Sequence, residues 1–154
     1  MTRRELLAGT CVSLATVCSA RGFARSGNDL DFSSALDAAA AIKAKKISSV
    51  ELTQRTFERI GKYNPKLNAF AYQMRDRALA EAQKADDAIA RKKEPGAFHG
   101  VPFCVKECFA VEGEPSTWGI PALKNSKAPA NSAAVERLLD AGGILTGATN
   151  VPYG

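Results

Sequence analysis

Apolar residues recur at intervals of three and four through the first hundred positions and then switch to strict alternation, so helices are expected first and strands later. An alanine-rich stretch over 35–45, with Asp31 or Ser33 placed to cap it and lysines at its end, predicts a first helix. Ser48 and Glu51 have capping-box spacing, and Val50, Thr53, Phe57 and Ile60 behind them form one apolar stripe. Gly61 and Asn64-Pro65 are expected to end that helix, and residues 67–72 to run extended. A surface helix over 74–93 follows, with Ala78, Ala82, Ala85 and Ile89 opposite a charged face and Glu94-Pro95-Gly96 as its stop.

The segment from Gly100 to Glu107 reads as a strand entered through a turn, with Val101, Phe103 and Val105 on one face and Pro102, Cys104 and Lys106 on the other. A turn-rich loop over 111–130 leads to a helix capped by Asn131 or Ser132, carrying Val135, Leu138 and Leu139 and closed by Gly142-Gly143. Residues 144–149 make a second strand. Strand, helix, strand is the parallel crossover unit, so the fold class is α/β: N-terminal helices, then part of a mixed, largely parallel sheet flanked by helices.

The N-terminus changes the picture. Arg3-Arg4 precede an apolar stretch over 6–20, and small-residue sites follow at Cys18-Ser19-Ala20 and Phe23-Ala24. This is the plan of a cleaved export signal with twin-arginine character, and it falls short of the roughly 20 residues needed for a permanent membrane span. The domain reading is a signal over 1–24, a linker over 25–32 and part of one domain over 33–154, exported to the periplasm or secreted. The chain stops at Val151-Pro152-Tyr153-Gly154 straight after an apolar run, which reads as truncation.

The formal net charge is +5. Arg3, Arg4 and Arg21 against Glu5 put two of those charges in the signal, and the three left over sit among lysines and arginines at helix ends, where cations favour the helix dipole. With no aromatic interleaving or recognition motif, no nucleic-acid partner is implied. Cys11 and Cys18 leave with the signal. On a continued strand Cys104 and Cys108 would stand about 13 Å apart at roughly 3.3 Å per residue, beyond the ~7 Å limit of a disulfide. Pairing would need a sharp turn after Lys106, so both are expected as small buried hydrophobes. With one histidine, His99, and no second cysteine pair, no metal site and no cofactor are implied.

Periodicity leaves Lys106 with two readings. At a strand end it can reach solvent beside Glu107; held where water is excluded, an amine gives up its charge and serves as a base. Ser48, Ser49, Ser116 and Ser132 read as turn and cap hydroxyls, and His99 has no partner placed to support catalysis. Trp118 reads as a packing residue or as a wall of an acyl pocket. Thr149-Asn150 either anchors the loop under a site or makes turn hydrogen bonds.

The wider string decides between the readings of Lys106. Gly100-Val101-Pro102-Phe103-Cys104-Val105-Lys106-Glu107, then Ser116-Thr117-Trp118-Gly119, then Ala134-Val135-Glu136-Arg137-Leu138-Leu139-Asp140-Ala141-Gly142-Gly143 and Gly147-Ala148-Thr149-Asn150 resemble the amidase signature family in order and spacing. So does the helix from Ser49-Val50-Glu51-Leu52 leading into Asn64-Pro65-Lys66-Leu67-Asn68-Ala69-Phe70.

The resemblance runs from about residue 33 onward and implies a Ser-Ser-Lys hydrolysis of a small-molecule amide. Lys106 would be the neutral base acting through a bridging serine on a nucleophilic serine, with backbone amides as oxyanion donors. The Gly-Gly-Ser-Ser-Gly run that would supply those serines does not occur in the 154 residues. Two expectations follow: the start of a working amidase, or a truncated remnant that is inactive and exposes the Val101, Phe103 and Val105 face. Lys106-Glu107-Cys108-Phe109 leans toward the fatty acid amide hydrolase branch, and the export signal argues against the glutamyl-tRNA amidotransferase branch.

Overall fold

The computed structural model describes residues 30–93 and 96–152, so the expected signal and most of the linker lie outside the described residues. A 3-10 turn, Leu30–Phe32, leads into α1 (Ala35–Lys43), α2 (Ser49–Leu67), β1 (Phe70–Gln73), α3 (Arg75–Ala90), β2 (Pro102–Lys106), α4 (Ala133–Asp140) and β3 (Ile144–Thr149). The sheet order is β1-β3-β2, with β2 parallel to β3 through the α4 crossover and β1 antiparallel to β3. The α/β class and the mixed sheet are as the sequence predicts.

Several boundaries differ, each for a local reason. Ser34, not Asp31 or Ser33, caps α1: its hydroxyl accepts from the Asp37 amide at 3.1 Å, while Ser33 closes the preceding turn through the Leu30 carbonyl. Ser48 caps α2 as expected, accepting from the Glu51 amide at 2.9 Å. That helix passes through Gly61 and Pro65 to Leu67 rather than ending there. Its last turn is secured instead at Asn68, which takes a left-handed conformation (φ 48°) and donates to the Asn64 carbonyl, while Asn64 Oδ1 accepts from the Phe70 amide at 2.9 Å. The extended segment consequently starts at Phe70.

Helices cover both faces of the sheet. Phe57 and Ile60 of α2 and Ala78 and Ala85 of α3 pack with Ile144 on one face. On the other, Val135 and Leu139 of α4 pack with Phe103, Val105, Leu145 and Tyr72. The bare alanines of α3, both Ala78 and Ala82 fully buried, are what allow it to approach so closely. The β2–β3 register slips between Phe103 and Val105, and the extra residue on β3 is Gly147 (φ 150°). A β-carbon there would lie 3.0 Å from the Gln73 α-carbon, so the bulge needs glycine.

Candidate active site

Register places Lys106 opposite Thr149 on β3, and Thr149 opposite Phe70 on β1. These three positions form a row across the sheet at the carboxyl ends of the parallel pair, where α/β sheets place their ligand sites. Alternation along β2 follows the sequence: Cys104 and Lys106 are exposed, while Phe103 and Val105 are partly buried beneath α4.

Lys106 is exposed among the described residues, the first of its two readings, because α2 and α3 cover their face only over the amino-terminal half of β2 and β3. One expectation is corrected here: the open face is the opposite of the one expected. Val101 is buried against α1, and Phe103 and Val105 against α4, so Cys104 and Lys106 are left uncovered. Cys104 is accordingly an exposed free thiol rather than a buried hydrophobe; Cys108 is partly buried and also free.

Beside Cys104 the same face hollows into a groove of about 410 Å³. Pro102, Cys104 and Thr146 form its floor, and Thr56, Ile60 and Phe70 line its side. Lys106 stands two residues beyond Cys104, roughly 6.6 Å along the strand.

The residue after the lysine is not singled out by the sequence. Glu107 is 3 % exposed. Its backbone amide donates to the Thr149 carbonyl at 2.9 Å, extending the β2–β3 ladder by one bond. Its carboxylate accepts from two backbone amides of the following loop, Thr117 N through Oε1 and Trp118 N (2.9 Å) through Oε2. Both carboxyl oxygens of this buried side chain are thus hydrogen-bonded. The acidic side chain immediately after Lys106 is the only sequence signal; nothing local tells that its partners lie ten and eleven residues on.

Trp118 is 54 % exposed, so it does not pack into the core of the described residues. Thr149 and Asn150 make no turn bond of their own among the described residues; they tie the end of β3 to β2 and to the segment between α2 and β1. Thr149 Oγ1 donates to the Val105 carbonyl at 3.4 Å, the Asn150 amide to the Ala69 carbonyl at 2.8 Å, and its side chain to Asn68.

The alternative nucleophile systems do not assemble. His99 Nε2 lies 2.9 Å from the Ala85 carbonyl, a contact that fixes it as a donor tying the entry to β2 onto α3. Ser48 is occupied as a cap, and Ser49, fully buried, donates to the Gly100 carbonyl at 2.8 Å. Ser132 is the α4 N-cap residue, though its buried hydroxyl has no partner among the described residues. Among the described residues no three His, Cys, Asp or Glu side chains are grouped to hold a metal ion, and no helix is long and apolar enough to cross a membrane.

Comparison with known proteins identifies the family. A family profile described as Amidase matches residues 51–154. Indoleacetamide hydrolase of Bradyrhizobium diazoefficiens is 41% identical over 119 residues, which are 77% of this chain and 23% of that protein. The acylamidase of Rhodococcus erythropolis is 32% identical over 80% of this chain and 26% of its own. Among solved structures, a bacterial aryl acylamidase of the amidase signature enzymes superposes with a TM-score of 0.74 at 32% identity, covering 79% of this chain and 26% of its own. The chain thus spans about a quarter of the length of the relatives it matches. In sequence and in fold alike, it belongs to the amidase signature family.

Proposed function

We propose that this chain supplies the lysine of an amide hydrolase working by a Ser-Ser-Lys mechanism, with Lys106 as the base and both serines contributed by polypeptide outside residues 1–154. The observation that carries this reading is the position of Lys106 at the carboxyl end of the parallel pair, opposite Thr149, on the face that stays uncovered. A lysine buried within this quarter of the fold would have no room for serines. An uncovered one beside an open groove does.

In this mechanism the lysine takes a proton from a bridging serine, which deprotonates the nucleophile. The nucleophile attacks the amide carbonyl, the amine leaves with a proton, and water then releases the acid from the acyl-enzyme. Exclusion of water from Lys106, which the described residues do not provide, comes in this reading from the segment that brings the serines. The substrate is a small amide, and the first 24 residues direct export.

Residues 1–154 alone hydrolyse no amide in this account, because the family's serine segment is not among them. The test is a chimera in which residues 51–154 replace the matching quarter of the aryl acylamidase. It should hydrolyse a simple anilide while the 154-residue chain alone does not. An inactive but folded chimera, or turnover by the chain alone, would defeat the proposal.

A further inference from the structure

We infer that Thr149 is a positioning residue for Lys106: its hydroxyl accepts an N–H of the lysine amine and so turns the nitrogen lone pair toward the serines. This rests on the function proposed above and goes beyond it by naming the group that aims the base.

Register brings the two side chains together. Lys106 and Thr149 are partners on the parallel pair β2 and β3, and the Glu107 amide donates to the Thr149 carbonyl at 2.9 Å, so the pairing holds to the strand end. Partners in register project to the same face. Thr149 is also the partner of Phe70, which packs with Phe57 and Ile60, and this is the face on which Cys104 and Lys106 lie open. Adjacent strands stand about 4.8 Å apart, within the sweep of a lysine's flexible four-carbon stem.

The threonine's own proton is already committed. Thr149 Oγ1 donates to the Val105 carbonyl, 3.4 Å away, and a carbonyl oxygen can only accept, so the polarity of this contact is fixed. The same arrangement occurs earlier on β3, where Thr146 Oγ1 donates to the Phe103 carbonyl at 2.9 Å. Both hydroxyls turn their hydrogens onto β2. Toward Lys106, Thr149 therefore presents lone pairs only.

That polarity matters to a base. A neutral amine has two N–H donors and one lone pair, and it takes a proton only through the lone pair. A hydroxyl free to rotate could donate into that lone pair and occupy it. One whose hydrogen is held by Val105 receives an N–H instead, which leaves the lone pair for a serine hydroxyl on the uncovered side. Once the proton has moved, the same oxygen accepts from the ammonium in a stronger, charge-assisted bond.

The test uses the chimera with an anilide. Thr149→Val, of nearly the same shape, should lower kcat about tenfold with KM within about twofold. Thr149→Ala, a second way of removing the hydroxyl, should do the same, and Thr149→Ser should bring kcat back to within about threefold of the parent. In a Lys106→Ala background, Thr149→Val should change the residual rate by less than about twofold, because the hydroxyl acts through the amine.

An unchanged kcat in the hydroxyl-free variants, a loss confined to KM, a loss that serine does not recover, or an equal further loss without the lysine would each overturn the positioning role and leave Lys106 as the base. A parent chimera inactive toward every amide would instead overturn the proposed function, and this role with it.

Discussion

The Ser49 hydroxyl donates to the Gly100 carbonyl at 2.8 Å, joining the first turn of α2 to the entry of the strand that carries Lys106 across 51 positions of sequence. Gly100 takes φ 74°, and a β-carbon there would approach Ser49 Oγ to 2.8 Å and Ser49 Cβ to 2.9 Å. Ser49→Ala should therefore destabilise the chain by about 1–3 kcal/mol by orphaning a buried carbonyl. Gly100→Ala should cost at least as much, through the positive φ and the clash together. Urea unfolding of the two variants checks both, and a midpoint shift absent from either would show that this junction does not hold the strand.

A second junction lies on the other side of the same helix end. The Asp86 carboxylate, from α3, accepts from the Ser49 amide at 2.7 Å and the Val50 amide at 3.1 Å. It satisfies two of the free amides at the start of α2 and places negative charge at the positive end of the helix dipole. Asp86→Ala should lower stability by about 1–2 kcal/mol, with Asp86→Asn falling between the two. Helix-specific hydrogen exchange at residues 49–52 is the measurement that locates the loss.

Tyr72 gives a pH dependence of definite sign. Burial first, then the charges of Glu114 and Glu107, push its phenol up to about 12 from 10.0. The folded state thus keeps this proton through a range where the unfolded chain loses it. The associated stability is fully present below about pH 10 and is lost as pH rises toward about 12. Among the described residues the hydroxyl also has no hydrogen-bond partner, so Tyr72→Phe should leave stability unchanged or raise it at neutral pH, and should flatten the alkaline decline. Alkaline unfolding followed by circular dichroism, with and without the substitution, decides this.

The sequence is informative where the signal is local. Ser48 and Glu51 announce a cap, and Gly142-Gly143 end α4 by donating to the Leu139 and Leu138 carbonyls as that motif requires. Alternation around Val105 separates the two faces of β2 correctly, and the crossover through α4 comes with it. What fails depends on pairings that no single residue announces. Pro65 reads as a stop, but Asn64, Asn68 and Phe70 jointly secure the turn that contains it.

A place at the end of a strand leaves Lys106 either covered or in reach of solvent. How far α2 and α3 extend over the sheet sets its exposure, and no local pattern encodes that. Glu107 and Asp86 escape notice for the same reason: each carboxylate is read by amides that lie 10 to 37 residues away. An isolated acidic residue in sequence carries no mark of that pairing.

The central claim is that the Lys106 amine is the base. It is tested most directly by Lys106→Ala in the chimera, with kcat/KM measured on an anilide and folding checked independently. The account predicts a loss of at least about a thousandfold with little change in KM, since general-base removal acts on the chemical step. Activity retained within about threefold would contradict it.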